Sequence, residues 1–404
     1  MKRVYTVLGI ALSCLMVVQS CSHFEPGEPL EEELLDGPIE GLSFEEQQRF
    51  LDGDETFNDE IFTVEKGLGP VFVANSCGSC HAGDGKGHPF VGFIRFGQKD
   101  GETENQFTHL GGRELQDRAI PGYEPEVLPE GATFTTLIAP AVTGLGLLQY
   151  VPDADLLAMA DPNDENGDGI SGAINWIDKF DYSPARSNNI TKEIDGKIKY
   201  IGRFGKKAAT FDLLDQTADA LSEDIGIASI YRPIDVYSGE EIDPEIDTKK
   251  VNNMAFYLQT LKAPIPRNQD DPTVMKGKQI FNDIQCASCH KPTLNTGQAP
   301  IEALAFKEFH PYTDLLLHDM GSALDDNYTE GRARSFEWRT PPLWGLGLSK
   351  DSQGGEYFLL HDGRAKSIQE AISFHGGEAA QARNNYNNLS DSDKEALITF
   401  LESL

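Results

Sequence analysis

One five-residue signature, Cys-x-x-Cys-His, occurs twice in this chain and limits what the chain can be. It appears as Cys77–His81 within NSCGSCHAGDGKG and as Cys286–His290 within QCASCHKP. A disulfide between cysteines three apart closes a very small loop and gains little chain entropy from doing so. Paired zinc-binding Cys-x-x-Cys units usually stand about 15–20 residues apart, whereas these lie at opposite ends of the sequence, and zinc leaves the following histidine unexplained. Covalent haem attachment accounts for every element. Two thiols add to the porphyrin vinyl groups, and the adjacent histidine turns back to ligate the iron. The expectation is therefore two covalently bound c-type haems, held by Cys77 and Cys80 and by Cys286 and Cys289, with His81 and His290 as proximal iron ligands.

The remaining cysteines fit the same picture. Of six in 404 residues, only Cys14 and Cys21 lie outside the motifs. Lys2 and Arg3 precede an apolar run from Val4 to Val18, which reads as a signal peptide over residues 1–20, too short for a comfortable membrane span. Val18-Gln-Ser-Cys21 resembles a lipobox, which implies cleavage before Cys21 and lipidation of its thiol, with unlipidated cleavage as the alternative. Residues 21–44 are acidic and punctuated by Pro and Gly, as a tether would be. The expected location is thus a bacterial membrane, lipid-anchored, facing the periplasm or the exterior. The formal charge of −31 excludes nucleic acid as a natural partner and favours a basic electron carrier such as a small cytochrome.

The two halves are laid out alike. Phe72 and Phe281 each lie five residues before the first motif cysteine. GPVFVANSCGSCH and KGKQIFNDIQCASCH both read as helices entering the attachment turn. VNNMAFYLQTL and KEALITFLESL both place an aromatic-Leu-x-x-Leu stripe on one helical face. Lys262–Thr273, with its three prolines, breaks any continuous helix. The expected architecture is mainly α: two cytochrome c-like domains, 45–262 and 272–404, the first enlarged by long irregular insertions.

The chain resembles the dihaem oxidoreductase family, some of whose members carry the label thiol oxidoreductase, a family related to bacterial dihaem cytochrome c peroxidases. The resemblance rests on GLGPVFVANSCGSCHAGDGKGHP, LQDRAIPGYEPE, TLIAPAVTGLGLLQYVPDADLLAMADPNDENGDGISG, GRFGKKA, YTDLLLHDMG, EWRTPPLWGLG and FLLHDGRAKSIQEAI, in that order. It implies a peroxidase-like enzyme with a His/Met electron-storage haem in the C-terminal domain and a reactive haem in the N-terminal one. Peroxide or a related small oxidant would be the substrate, and an external donor would re-reduce the pair. The alternative is a dihaem carrier without chemistry of its own.

Met320, in LLLHDMG, stands at the family's matching methionine and is the expected sixth ligand of the second haem, with His318 as the alternative. The first haem has no comparable partner: His88 and His109 are alternatives, and Ile225 stands where relatives often carry Met, which leaves an open iron. Glu114, Gln116 and Arg113 are the candidate catalytic groups there, for proton transfer and charge stabilisation. Arg339 and Arg364 are candidate propionate partners. Trp176 is a candidate electron relay. Asp164, Asn166 and Asp168 begin a D-x-N-x-D-G loop, a candidate calcium site that lacks the acidic residue an EF-hand keeps twelve positions in; an Asx-stabilised turn is the other reading.

Overall fold

The structure is a computed structural model that describes residues 29–97, 113–184 and 188–404. The expected signal segment, the expected lipidation site Cys21 and His109 lie outside these residues. The chain divides into two compact units, Met1–Leu34 and Leu35–Leu404. The described part of the first holds one 3-10 turn, Glu31–Glu33. None of the described helices is long and apolar enough to cross a membrane.

Five helices of eleven residues or more organise the second unit. These are α1 (Phe44–Asp54), α2 (Leu213–Glu223), α3 (Thr248–Thr260), α4 (Pro272–Asp283) and α5 (Asp391–Glu402). Each starts on a side-chain cap that satisfies otherwise orphaned amides: Ser43, Asp212, Asp247, Asp271 and Ser390. Ser43 and Glu46 complete a capping box, and Pro272 occupies the first position of α4, where its missing N–H costs nothing.

The helices cross in two matching pairs, α1 on α3 and α4 on α5. In each crossing a glycine lets the backbones touch. A Cβ on Gly53 would lie 2.2 Å from the Asn253 carbonyl oxygen, and one on Gly277 would lie 2.0 Å from that of Ala396. Four residues on, Phe57 packs against Tyr257 at 5.5 Å between ring centroids, as Phe281 packs against Phe400, also at 5.5 Å. Phe57, not Phe72, is therefore the counterpart of Phe281.

The helix expected over GPVFVANSCGSCH is not formed. Val71–Phe72 is instead a short strand, β1, paired antiparallel with β3 (Arg118–Ala119). Val73 and Ala74 donate to the Asp224 carbonyl, and Gly69 to that of Ile225. Pro70 and the β-branched Val71 and Val73 favour this extended path. Gly69 approaches Gly226 so closely that a side chain would collide with its carbonyl oxygen. The first-half helix that leads toward the motif is α1, separated from it by an extended excursion that the second half lacks.

Other strands are short: β2 (Phe93–Phe96) pairs with β4 (Phe134–Leu137), and β5 (Trp176–Ile177), β7 (Lys197–Ile201) and β6 (Thr191–Ile194) form one sheet in that order. In the second half, β8 (Leu317–Asp319) pairs with β9 (Glu337–Arg339), setting His318 opposite Trp338. The largest apolar core joins Phe50, Tyr257 and Leu258 to Leu294, Leu304 and Phe309, so an arm of the second half completes the core of the first. A separate core holds Phe281, Tyr312, Leu397 and Phe400.

Candidate functional site

Both Cys-x-x-Cys-His motifs open onto one cavity of about 430 Å3, a size typical of small-molecule and cofactor sites. Each motif folds as a tight turn, Cys77–Ser79 and Cys286–Ser288, in which the histidine N–H donates back to the first cysteine carbonyl at 3.0 Å. The four thiols are free and face the cavity. Burial pushes the Cys77, Cys80 and Cys286 thiols up to about 12, so in the free chain they stay protonated.

The histidines are prepared for metal. His290 Nδ1 lies 3.0 Å from the Tyr312 carbonyl, which fixes that nitrogen as the donor and leaves Nε2 with its lone pair. Burial holds its pKa down to about 4, so the ring is neutral. His81 is also held near 4 by burial; the Pro140 carbonyl opposes that shift but makes no well-formed bond with Nδ1, which is buried without a partner among the described residues. Phe57 lies 5.6 Å from His81 and Phe281 6.4 Å from His290, ring centre to ring centre. Paired thiols beside a neutral imidazole, twice over in one cavity, are a donor set that suits two haems.

Met320 lines the cavity just after β8, among Leu137, Leu324 and Trp338. Its chain packs on Gly376 and Gly377, where added side chains would strike the Met320 and Asp319 carbonyl oxygens. His318, two residues before, has both ring nitrogens engaged: Nε2 with Asp314 at 2.9 Å and Nδ1 with Glu378 at 2.7 Å. Those carboxylates and the Cys289 sulfur, 3.6 Å from Nδ1, outweigh desolvation and raise the imidazole to about 12. It is a cation with no lone pair to offer. Cys289, Asp314 and His318 do gather within reach of a single ion, but that grouping is satisfied by the ion pairs themselves.

The proposed catalytic trio separates. Glu114 is fully buried, lines the cavity, and shares a hydrogen bond with the neighbouring Asp224 carboxyl. Burial, then the charge of Asp224, raises its pKa well above the carboxylate range. Arg95 lies 3.4 Å away but is shared with Glu330 at 2.5 Å and Asp219 at 3.9 Å, so it does not ionise Glu114. Glu114 therefore carries a proton. Gln116 points elsewhere, its amide donating to the Ser222 and Glu223 carbonyls. Arg113 pairs with Asp219 and lines a second pocket, together with Trp176. Asp224, which the sequence did not single out, lines the cavity beside Glu114. Its only sequence signal was its place next to Ile225.

Arg339 lines the cavity; Arg364 does not, and is instead held by Asp362 and the Ala323 carbonyl at the surface. His88 accepts from the Phe90 amide and packs on Phe358. His375 was missed: it lines the cavity, with Nδ1 on the Ala371 carbonyl at 2.8 Å. In the acidic loop, Asp164 accepts from Gly169, Asn166 from Asp168, and Asp168 from Ile170. These are Asx-type turns, and among the described residues the loop's carboxylates do not converge on one point. The loop's far end is tied down by Glu378, which accepts from the Ser171 and Asp319 amides.

Residues 126–404 match the family described as "Di-haem oxidoreductase, putative peroxidase". The chain belongs to the di-haem oxidoreductase family. That match takes in the second motif and begins after the first. Membership makes the protein an oxidoreductase and implies two haems. No curated protein matches it in sequence. Loosely similar solved structures include hydrazine synthase from Kuenenia stuttgartiensis, at 15% identity over 94% of this chain and 96% of that one, TM-score 0.40. Others are a MauG-like protein associated with microbial copper homeostasis (12%, 94% and 95%, 0.41) and the diheme peroxidase BthA from Burkholderia thailandensis E264 (14%, 88% and 86%, 0.43).

Proposed function

We propose that this chain is an exported dihaem c-type cytochrome with peroxidase-like activity. Cys77, Cys80 and His81 would hold one haem, and Cys286, Cys289, His290 and Met320 the other; when bound, the haems supply the electron transfer and the activation of the peroxide bond. One observation supports the enzymatic reading over a plain carrier: a buried carboxyl held protonated, Glu114, lines the cavity on the Cys80 side, within hydrogen-bonding reach of a second carboxyl, Asp224. Glu114 is placed to give its proton to a departing oxygen and take one back, with Asp224 as its neighbour in the exchange. Arg95, 3.4 Å from Glu114, stabilises the carboxylate left when that proton is given. Leu137, Leu324 and Trp338 keep water from Met320, whose thioether raises the potential of the iron it ligates and so favours electron storage there.

The remaining parts complete the proposal. Residues 45–262 and 272–404 act as the two haem domains, and residues 1–20 and Cys21 direct export and lipid anchoring to a bacterial membrane, followed by the tether to residue 44. The external donor is a small, preferably basic cytochrome, matched to the acidic surface, and peroxide or a related small oxidant is the substrate. Calcium at Asp164, Asn166 and Asp168 would require their backbone donors to be exchanged for ion contacts, and sensitivity of the haem spectrum to chelator tests it. For the enzyme itself, the reduced protein should bind carbon monoxide at one haem and the resting protein should consume peroxide. Two haems inert to both would leave only the carrier.

A further inference from the structure

Five cationic side chains line the shared cavity, among them Lys86, Lys206 and Arg339, in a chain whose 34 basic residues are outnumbered by 65 acidic ones. Lys206 and Arg339 share one frame. Arg339 N donates to the Lys206 carbonyl at 3.0 Å, and its Nε to that of Gly205 at 2.9 Å. Lys86 follows the first motif, its carbonyl accepting from Ser352 Oγ at 3.0 Å while Gly87 next to it donates to Ala139 at 2.8 Å.

Their neighbour Lys207 shows what a satisfied lysine looks like here. Its ammonium donates to the carbonyls of Arg334, Ser335 and Glu337 at 3.1, 3.0 and 2.9 Å and lies 3.7 Å over the Trp338 ring. Lys86 and Lys206 have no such partners: among the described residues no carbonyl or carboxylate lies within bonding distance of either ammonium. Burial alone holds Lys86 down to about 8; burial, then Lys86, then Arg339 hold Lys206 well below its usual value; and burial takes Arg339 to about 10. Enclosed like charges are unfavourable until an anion completes them.

We propose that Lys86, Lys206 and Arg339 form a carboxylate-binding cradle whose occupants are haem propionates. Carboxylate is the chemistry that matches two ammonium groups and a guanidinium. Propionates, unlike a free acid, arrive tethered to the ring that the two motifs fix, and Lys206 is near enough to His81 to depress its pKa. This inference rests on the two-haem reading, and the test separates the two.

The test uses the full-length, haem-loaded protein with K86Q, K206Q and the charge-preserving K86R and K206R. Covalent haem is first counted by intact mass. Wild-type protein without haem sinks the underlying reading, whereas the cradle is judged on proteins that carry both. Resonance Raman propionate-bending bands should shift in each Gln variant and return in the Arg variants. The midpoint potential of the nearer haem should fall in the Gln variants, because a nearby cation favours the reduced iron. Wild-type bands and potentials in both Gln variants would overturn the cradle. Acetate that perturbs the wild-type spectrum but not that of K206Q would also overturn it, by showing a site for free carboxylates. If K206Q loses its haem, K86Q and K206R carry the same readouts.

Discussion

Gly277 on α4 lies against Ala396 on α5 with no room for a side chain, and Gly53 on α1 lies against Asn253 on α3 in the same way. Each crossing delivers a phenylalanine, Phe281 or Phe57, to the flank of a motif histidine. G277A and G53A should each destabilise the haem-loaded protein by about 1–3 kcal/mol through overpacking. Thermal unfolding measures this, and a wild-type Tm in both variants would show that the crossings yield without cost.

E114Q keeps the size of the buried side chain and removes its proton exchange. Peroxide turnover should fall about 10²–10⁴-fold, the usual share of a general acid–base group, with haem content and reduced spectrum unchanged. Q116A should leave turnover nearly intact, since Gln116 faces carbonyls away from the cavity. Stopped-flow peroxide reduction compares the two, and equal losses would remove Glu114 from the chemistry.

Asp84 is buried behind the first motif, accepting from Tyr257 Oη at 2.5 Å and from Asn58 at 3.3 Å. Burial raises its pKa from 3.8 to about 6. A raised carboxylate binds its proton more tightly in the folded state, so this stability is fully present below the unfolded value and is lost as pH rises through the folded one. The D84N protein should therefore gain about 2–3 kcal/mol relative to wild type between pH 4 and pH 7. Denaturant titrations across that window measure the difference, and a constant gap would contradict the assignment.

M320A should lose the long-wavelength charge-transfer band of Met-ligated ferric haem and lower the potential of the second haem. H375A, at the missed histidine, should keep the band. Magnetic circular dichroism reads both: survival of the band in M320A would put another methionine on the iron, and its absence from wild type with a change of spectrum in H375A would make His375 the ligand.

E378A removes the carboxylate that joins His318 to the Ser171–Gly172 backbone. It leaves a buried imidazolium with one partner instead of two, and breaking such a pair typically costs about 3–5 kcal/mol. A loss under about 1 kcal/mol on unfolding would mean that His318 simply becomes neutral.

The repeated motif, both closing helices and α4 were legible in the sequence because short-range patterns encode them: cap residues, apolar stripes and Cys-x-x-Cys-His itself. The first-half approach was not. Phe72 and Phe281 share a spacing to their cysteines, yet Phe72 belongs to a strand fixed by Arg118 and Asp224, partners distant in sequence. Glu114 was legible as a candidate, but its separation from Arg113 depends on alternation along an extended segment, which sends neighbours to opposite sides, and that from Gln116 on the distant Ser222 and Glu223 carbonyls that hold the amide. Lys86 and Lys206 gave no local signal: what distinguishes Lys206 from Lys207 is the absence of carbonyl partners, a property of the folded chain alone.

The central claim is that both motifs carry covalently attached haem within one cavity. Intact mass of the mature protein, produced in a host able to install c-type haem, tests it most directly. The account predicts an increment for two haems, reduced to one in a C77A/C80A variant and to one in C286A/C289A. A mature protein without any such increment would contradict it.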